Sequence, residues 1–157
     1  QIRIVLAGSG GMEQTLRTQA RGLNNGEFIG FISEEDKVAL LELCQGFVFP
    51  SHLRSEAYGL SLVEAAMFSK PLISCEIGTG TTFINIANET GLVVEPSAPQ
   101  ALRDAMQFLL DNPKQALMMG QQAKIRMENL FTAKQQSDRY YKLYQALMKK
   151  DTVEGVV

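Results

Sequence analysis

Ligands for a structural metal are scarce in this sequence, which holds one histidine and only two cysteines, Cys44 and Cys75. A structural zinc site takes four nitrogen or sulfur ligands, so the composition argues against one. Two cysteines in separate apolar segments also argue against a disulfide scaffold and favour a reduced, cytoplasmic protein. Charge of one sign is lacking too, since 15 basic and 17 acidic residues leave a net charge of −2. Bulk electrostatic binding of nucleic acid and a membrane span of ~20 apolar residues are both disfavoured.

The length and composition are those of one ordinary globular domain. The chain has 157 residues, of which 45% are apolar and 20% charged. We expect a single domain over 1–150 and a disordered tail over 151–157. The chain starts without a methionine or a signal peptide, directly on an apolar stretch that is typical of a core strand. From this we expect it to be a fragment of a longer protein.

Apolar strand-like stretches alternate with helical stretches along the chain. Strands are predicted over 2–7, 27–31, 47–49, 72–75 and 91–94, and the main helices over 12–21, 59–68 and 132–149. This alternation is typical of βαβ units, so it predicts an α/β fold with a Rossmann-like parallel sheet sandwiched by helices. In such sheets ligands bind at the carboxyl ends of strands, which points to the loops after Ala7, Pro50 and Cys75.

Local signals predict where two helices begin and which side of another is buried. Ser33, followed by acidic residues, is a predicted N-cap, and Ser97 is another. Four large side chains recur at helical spacing near the C-terminus, which is typical of a core-facing helix: Tyr140, Leu143, Tyr144 and Leu147.

A glycine cluster follows the first predicted strand. Backbone N–H groups at Gly10 and Gly11 are able to hold a phosphate against the dipole of the next helix. Glu13 stands where a dinucleotide fingerprint has its third glycine, so that fingerprint is incomplete. A tight turn between strand and helix explains the cluster equally well.

The segment from Pro50 to Glu64 carries the densest set of chemical groups, with His52, an arginine and the carboxylate of Glu56. Gly59 stands near a predicted helix start, where free backbone N–H groups point at an anion. Glu64 lies about one and a half turns into that helix, amid apolar residues. A partly buried carboxylate needs hydrogen-bond partners, such as ribose hydroxyls.

Other interpretations of this segment stay open. Glu56 fits first-turn helix electrostatics and Glu64 fits a surface position. Paired carboxylates are also the machinery of glycosidases, but the sequence does not fix their separation in space. His52 fits either a contact to a sugar phosphate or a hydrogen bond within the loop.

The spacing of these residues resembles a known signature. Glu56 and Glu64 are eight positions apart, with Tyr58, Gly59 and Leu60 between them and a Pro-Ser pair before them. This resembles the E-x7-E signature of the retaining glycosyltransferases of family 4. Further segments match that family in order over 28–32, 70–73 and 89–94, so the likeness covers about 4–131. The chain is similar to the C-terminal, nucleotide-sugar-binding domain of a GT-B enzyme.

The resemblance implies roles at the matched positions. Glu56 would be the catalytic residue that faces the donor sugar, and Glu64 would bond the ribose hydroxyls. The other donor-binding positions would lie along the phosphates, the sugar and the nucleobase: Gly10, Gly11, Ile32, Glu34, Lys37, His52, Tyr58, Gly59 and Leu60.

The sequence departs from the family pattern mildly after Glu56, where Ala57 and Tyr58 replace the usual glycine and phenylalanine, and in two further places. The family's arginine and lysine for the sugar phosphate lie on a segment before the strand that opens this chain, so they are absent. Thr82 falls about where the family's Gly-Gly-x-x-Glu loop has its glutamate. The runs over 52–56 and 78–82 are similar to those of mannosyltransferases of bacterial O-antigen assembly, which use GDP-mannose.

The resemblance therefore implies a retaining transfer of mannose from GDP-mannose to a polysaccharide or lipid-linked acceptor. The acceptor would bind the missing N-terminal domain of the same chain, so we expect the fragment to bind donor weakly and to transfer no sugar. No Asp-x-Asp pair occurs, which favours a mechanism without a metal or another cofactor. A cytoplasmic enzyme is implied, with peripheral association at the inner face of the membrane left open. An NAD-type dinucleotide-binding oxidoreductase domain and a non-catalytic sugar-nucleotide-binding module stay open as other functions.

Overall fold

The computed structural model describes residues 2–154, with side chains through Met148. The contacts divide the chain into two compact units, Gln1–Cys44 and Gln45–Val157, and each has its own sheet. The single domain expected over 1–150 stays a prediction. Within the described residues, no helix combines the length and the apolar character that crossing a membrane requires.

Unit 1 (1–44) is a βαβα segment with a two-stranded parallel sheet. Its elements are β1 (Ile4–Ala7), α1 (Glu13–Gln19), β2 (Gly26–Gly30) and α2 (Glu34–Leu43). The predicted N-cap of α2 is confirmed, because the Ser33 hydroxyl accepts a hydrogen bond from the Asp36 N–H at 3.0 Å. This bond satisfies one of the N–H groups that a helix start leaves open.

Unit 2 (45–157) holds a three-stranded parallel sheet in the order β3–β4–β5, surrounded by helices. Its elements are β3 (Phe47–Phe49), α3 (Leu60–Met67), β4 (Leu72–Cys75), α4 (Thr81–Ile84), β5 (Gly91–Val94), α5 (Pro99–Asp111), α6 (Pro113–Leu130) and α7 (Ala133–Glu154). The predicted α/β class is confirmed, with parallel strands and flanking helices. The strands form two sheets, one in each unit, where a single sheet was expected.

The core of unit 2 lies between the sheet and two helices. All four residues of β4 are buried, as expected for the central strand of a covered parallel sheet. A buried cluster joins β4 to α5 and α6: Ile73, Ala105, Leu109, Ala116 and Met119. At Gly120 a Cβ would overlap the Ser69 carbonyl, so glycine lets α6 lie directly against the turn after α3.

Two local predictions are wrong. Ser97 does not cap α5, because its backbone is left-handed (φ 58°), whereas a capping serine needs extended backbone. The helix begins at Pro99 after an N-cap at Ala98 that makes no side-chain bond. The predicted core stripe on α7 is also more than half exposed, at Tyr140, Leu143, Tyr144 and Leu147. Periodicity identifies an apolar helix face, but it does not show whether another element covers that face.

Two further segments add detail that the sequence did not give. The loop that follows β4 contains the single helical turn α4. The tail expected to be disordered over 151–157 overlaps the end of α7, which runs to Glu154. Residues 155–157 lie outside the described part of the chain.

Candidate functional site

The loops that follow β3 and β4 meet at one edge of the unit 2 sheet. Because β3 and β4 are parallel neighbours, their carboxyl ends lie side by side. Residues 50–59 lead from β3 into α3, and residues 76–80 lead from β4 into α4. A hydrogen bond of 2.9 Å from the Gly80 N–H to the Ala57 carbonyl joins the two loops. The predicted site residues of unit 2 lie on the first loop and the helix after it: His52, Glu56, Tyr58, Gly59, Leu60 and Glu64.

The Glu56 carboxylate accepts hydrogen bonds from backbone N–H groups at the start of α3. Gly59 is the N-cap, and its left-handed backbone (φ 88°, ψ 60°) turns the chain into the helix. Glu56 Oε1 accepts hydrogen bonds from the N–H groups of Gly59 at 2.9 Å and of Tyr58 at 3.3 Å. The helix dipole stabilises a negative charge at this end. The N–H donors predicted to hold an anion therefore hold one already, which is a carboxylate of the chain itself.

The second glutamate of the signature lies in the second turn of α3. A rise of about 1.5 Å per residue places Glu64 about 7.5 Å along the helix axis from Gly59. Ala65 and Ala66, which follow it, are buried, and Glu64 itself is half-buried, which agrees with the partly buried interpretation and not with the surface one. One loop–helix segment therefore presents two carboxylates, one at the helix start and one in its second turn.

A shallow, open pocket lies beside Glu56. Its volume is about 270 Å³, and it is lined by Ser51, His52, Leu53, Ser55 and Glu56. The Tyr58 ring packs edge-on against Phe131, with the ring centroids 6.3 Å apart. The side chain of Tyr58 therefore anchors the loop, while its backbone N–H belongs to the helix start.

Unit 1 carries the remaining predicted residues at the carboxyl edge of its own sheet. Gly10 and Gly11 are exposed in the turn after β1. After β2, Ile32 is half-buried, and Glu34 and Lys37 form an ion pair of 2.8 Å in the first turn of α2. The Lys37 side chain is mostly covered, whereas that of Glu34 is exposed. The resemblance implies a role along the nucleotide for each of these residues, and the structure adds that Glu34 and Lys37 pair with each other.

Two residues at the carboxyl edge of the unit 2 sheet were assigned no role from the sequence. The Arg54 guanidinium lies beside Gly78, with Nη1 3.6 Å from the point that a Cβ of Gly78 would occupy. Arg54 makes no hydrogen bond or ion pair with any residue that the structure describes. The sequence signal for Arg54 is that segment 50–64 contains no other lysine or arginine. Gly80, the second of these residues, lies in the run 78–82 that resembles those of the mannosyltransferases, but its contact with another loop was not predictable from that run.

Among the described residues, neither a metal cluster nor a reactive thiol is found at the carboxyl edge of the unit 2 sheet. Among residues 2–154, no three histidine, cysteine, aspartate or glutamate side chains are grouped so as to hold a metal ion. Cys75 ends β4 and is buried, and this burial raises the pKa of its thiol. The thiol is therefore protonated at neutral pH, and a protonated thiol is a poor nucleophile.

Known sequences place the chain in a family. Residues 1–126 match the family described as Glycosyl transferases group 1. The D-rhamnosyltransferase WbpZ of Pseudomonas aeruginosa is 55% identical over 132 residues, and the O-antigen chain mannosyltransferase C of Escherichia coli is 46% identical over 151. The matches cover 83% and 95% of this chain, but only 35% and 41% of those relatives. The chain thus spans well under half the length of the curated relatives it matches.

Solved structures share the fold. Sucrose-phosphate synthase from Thermosynechococcus elongatus superposes with a TM-score of 0.80 at 26% identity, over 94% of this chain and 39% of that one. Anabaena HepE in complex with UDP gives a TM-score of 0.82 at 18% identity, over 92% and 41%. The second likeness shows the fold alone. Taken with the family match, these likenesses show that the chain belongs to the group 1 glycosyl transferases and has the fold of the C-terminal, nucleotide-sugar-binding half of a GT-B enzyme.

Proposed function

We propose that this chain is the donor-binding domain of a retaining glycosyltransferase that moves mannose from GDP-mannose to a polysaccharide or lipid-linked acceptor. The observation that carries the proposal is the geometry of α3, with Glu56 and backbone N–H groups at its start and Glu64 in its second turn. A diphosphate needs N–H donors, and a ribose needs an acceptor for its hydroxyls. Helix α3 provides the N–H donors at its start and the carboxylate acceptor, Glu64, in its second turn.

The names of the relatives support a mannose-configured donor. One is a mannosyltransferase and another a D-rhamnosyltransferase. D-rhamnose is 6-deoxymannose, so the two sugars share the configuration of their ring hydroxyls and differ at carbon 6. Because one relative is a D-rhamnosyltransferase, the 6-deoxy sugar is the alternative to mannose as the donor sugar. HepE, which has the same fold, binds UDP, and this supports a nucleoside diphosphate as the leaving group.

In the proposed mechanism the donor diphosphate displaces the Glu56 carboxylate. It then accepts hydrogen bonds from the N–H groups of Tyr58 and Gly59, which donate to Glu56 in the structure. Glycosyl transfer develops negative charge on the diphosphate and positive charge at the anomeric carbon. N–H donors and the helix dipole at Gly59 stabilise that negative charge, and the guanidinium of Arg54, which lies beside Gly78 on the adjoining loop, is assigned the role of an additional cation. Glu56, once displaced, faces the donor sugar. These groups serve the reaction without a metal or another cofactor.

The remaining predicted residues keep their proposed roles along the donor. Glu64 bonds the ribose hydroxyls, and His52 contacts the sugar phosphate. In unit 1 the turn after β1 is assigned to the phosphates and the start of α2 to the nucleobase: Gly10, Gly11, Ile32, Glu34 and Lys37.

Calorimetric titration of the chain with GDP, UDP and NAD tests the nucleotide class. We expect GDP to bind and Glu64→Gln to weaken its affinity at least tenfold. Glu89→Gln is the matched control, because Glu89 is exposed in the turn before β5, at the opposite edge of the sheet, and its variant should bind as the wild type does. A preference for UDP would refute the guanine assignment, and a preference for NAD would favour a dinucleotide domain. Competition between GDP-mannose and GDP-D-rhamnose then decides the sugar.

We further propose that the acceptor binds the remainder of a longer protein, so that this chain alone transfers no sugar. Incubation with labelled GDP-mannose and extracted lipid-linked acceptors should leave the label on the donor. Transfer by the chain alone would refute this statement. Donor binding without transfer by the full-length protein would support a non-catalytic binding module.

A further inference from the structure

We infer that Gly80 is a positioning residue for the donor loop, which is defined here as residues 57–59. Its backbone fixes this loop at the start of α3, so that the N–H groups of Tyr58 and Gly59 point at one anion. The inference rests on the proposed function of that helix start as the diphosphate site. It adds a residue outside the E-x7-E signature to the machinery that binds the donor.

Gly80 approaches the donor loop more closely than a side chain permits. Its N–H donates to the Ala57 carbonyl at 2.9 Å. A Cβ on Gly80 would lie 2.9 Å from that carbonyl oxygen, 3.0 Å from Tyr58 Cδ2 and 3.3 Å from Tyr58 Cα. The backbone of Gly80 is ordinarily helical (φ −62°, ψ −12°), so glycine is required by the lack of space and not by the dihedral angles.

The residue after Gly80 lies next to the other end of the donor loop. Thr81 is buried, with 1% of its surface exposed. A Cβ on Gly59 would lie 3.4 Å from Thr81 Cγ2, an ordinary van der Waals distance, so the Thr81 side chain lies next to Gly59. Residues 80 and 81 therefore face both ends of the donor loop, Ala57 and Gly59.

The segment that carries Gly80 is itself fixed to the sheet. Asn85, the C-cap of α4, is fully buried and donates from Nδ2 to Ser74 Oγ on β4 and to the Leu92 carbonyl on β5, both at 2.9 Å. A clash at Gly80 is therefore relieved by movement of the donor loop, in which Ala57 and Tyr58 are exposed, and not by movement of α4. Hydrogen bonds weaken steeply with misalignment, so a small shift at Tyr58 and Gly59 weakens their hold on an anion.

Gly80→Ala tests the positioning without any ligand. In two-dimensional ¹H–¹⁵N NMR spectra we expect the amide signals of Tyr58 and Gly59 to move, and the amide of residue 80 to exchange faster as its bond to Ala57 lengthens. Gly46→Ala is the matched control, because the nearest atoms to a Cβ there are at an ordinary 3.5 Å. Unchanged donor-loop signals in Gly80→Ala would overturn the inference, whatever the nucleotide does.

Nucleotide titration then tests whether the positioning serves the diphosphate. We expect Gly80→Ala to lower GDP affinity about tenfold and to leave the affinity for guanosine, which has no phosphate, unchanged. Ala116→Gly, which weakens the core of α6 away from the loop, should leave both affinities unchanged. Equal losses for GDP and guanosine, or no loss, would refute the link to the phosphates. No GDP binding by the wild type would refute the proposed function, while the ligand-free spectra would still decide the positioning.

Discussion

Replacing Asn85 with alanine is expected to destabilise unit 2 by about 3 kcal/mol. The Asn85 side chain bonds Ser74 and Leu92, as described above, and its Oδ1 accepts a hydrogen bond from the Thr90 hydroxyl at 3.0 Å. Each such bond has a net value of about 1 kcal/mol, so the three together give about 3 kcal/mol. This corresponds to a roughly 150-fold change in the unfolding equilibrium. Partner groups left buried without a bond add to the loss.

Urea unfolding followed by circular dichroism measures this loss as a lower midpoint with an unchanged slope. Asn129→Ala is the control, since Asn129 is exposed on α6 and its replacement should change the free energy of unfolding by less than about 0.5 kcal/mol. Thr90→Val removes the hydroxyl from the same network, so its effect and that of Asn85→Ala should be non-additive by at least about 0.5 kcal/mol. A loss below about 1 kcal/mol for Asn85→Ala, or full additivity, would refute the reasoning.

Three further predictions concern the start of α3, the N-cap of α2 and the Cys75 thiol. Glu56→Ala removes the anion that competes for the Tyr58 and Gly59 N–H groups, so calorimetry should show tighter GDP binding; weaker binding would contradict the proposed displacement. Ser33→Ala removes the N-cap of α2 and should cost about 1 kcal/mol, seen as faster hydrogen exchange in that helix; unchanged exchange would show that the cap is dispensable. Burial raises the pKa of Cys75, so the unfolded thiol ionises at lower pH than the folded one, and the free energy of unfolding should fall as the pH rises above about 9. Cys75→Ala should remove that fall, and a fall of the same size in the variant would exclude the thiol as its cause.

Local features of the sequence predicted much of the site. The strands, the Ser33 cap and the helix after Gly59 depend on short-range pattern, and the structure has them close to where they were expected. The E-x7-E spacing also depends on one loop and one helix, because a helix fixes the distance between its own residues. Glu64 is accordingly half-buried in the second turn of α3.

Features that depend on long-range contact were not predictable in this way. The bond between Gly80 and Ala57 joins loops 23 residues apart in the sequence, and nothing local marks it. The capture of the α3 N–H groups by Glu56 required the left-handed turn at Gly59, which periodicity does not show. The burial of the α7 stripe was mispredicted for the same reason. Its helical spacing was predicted correctly, but burial depends on whether another element covers it.

The most direct test of the central claim is a ¹H–¹⁵N NMR titration of the chain with GDP. If the start of α3 is the diphosphate site, the amide signals of Tyr58, Gly59 and Leu60 shift and saturate together, and Glu64→Gln raises the GDP concentration at half-saturation. Saturable shifts confined to other parts of the chain, or no shifts at millimolar GDP, would contradict the claim that this helix start binds the donor.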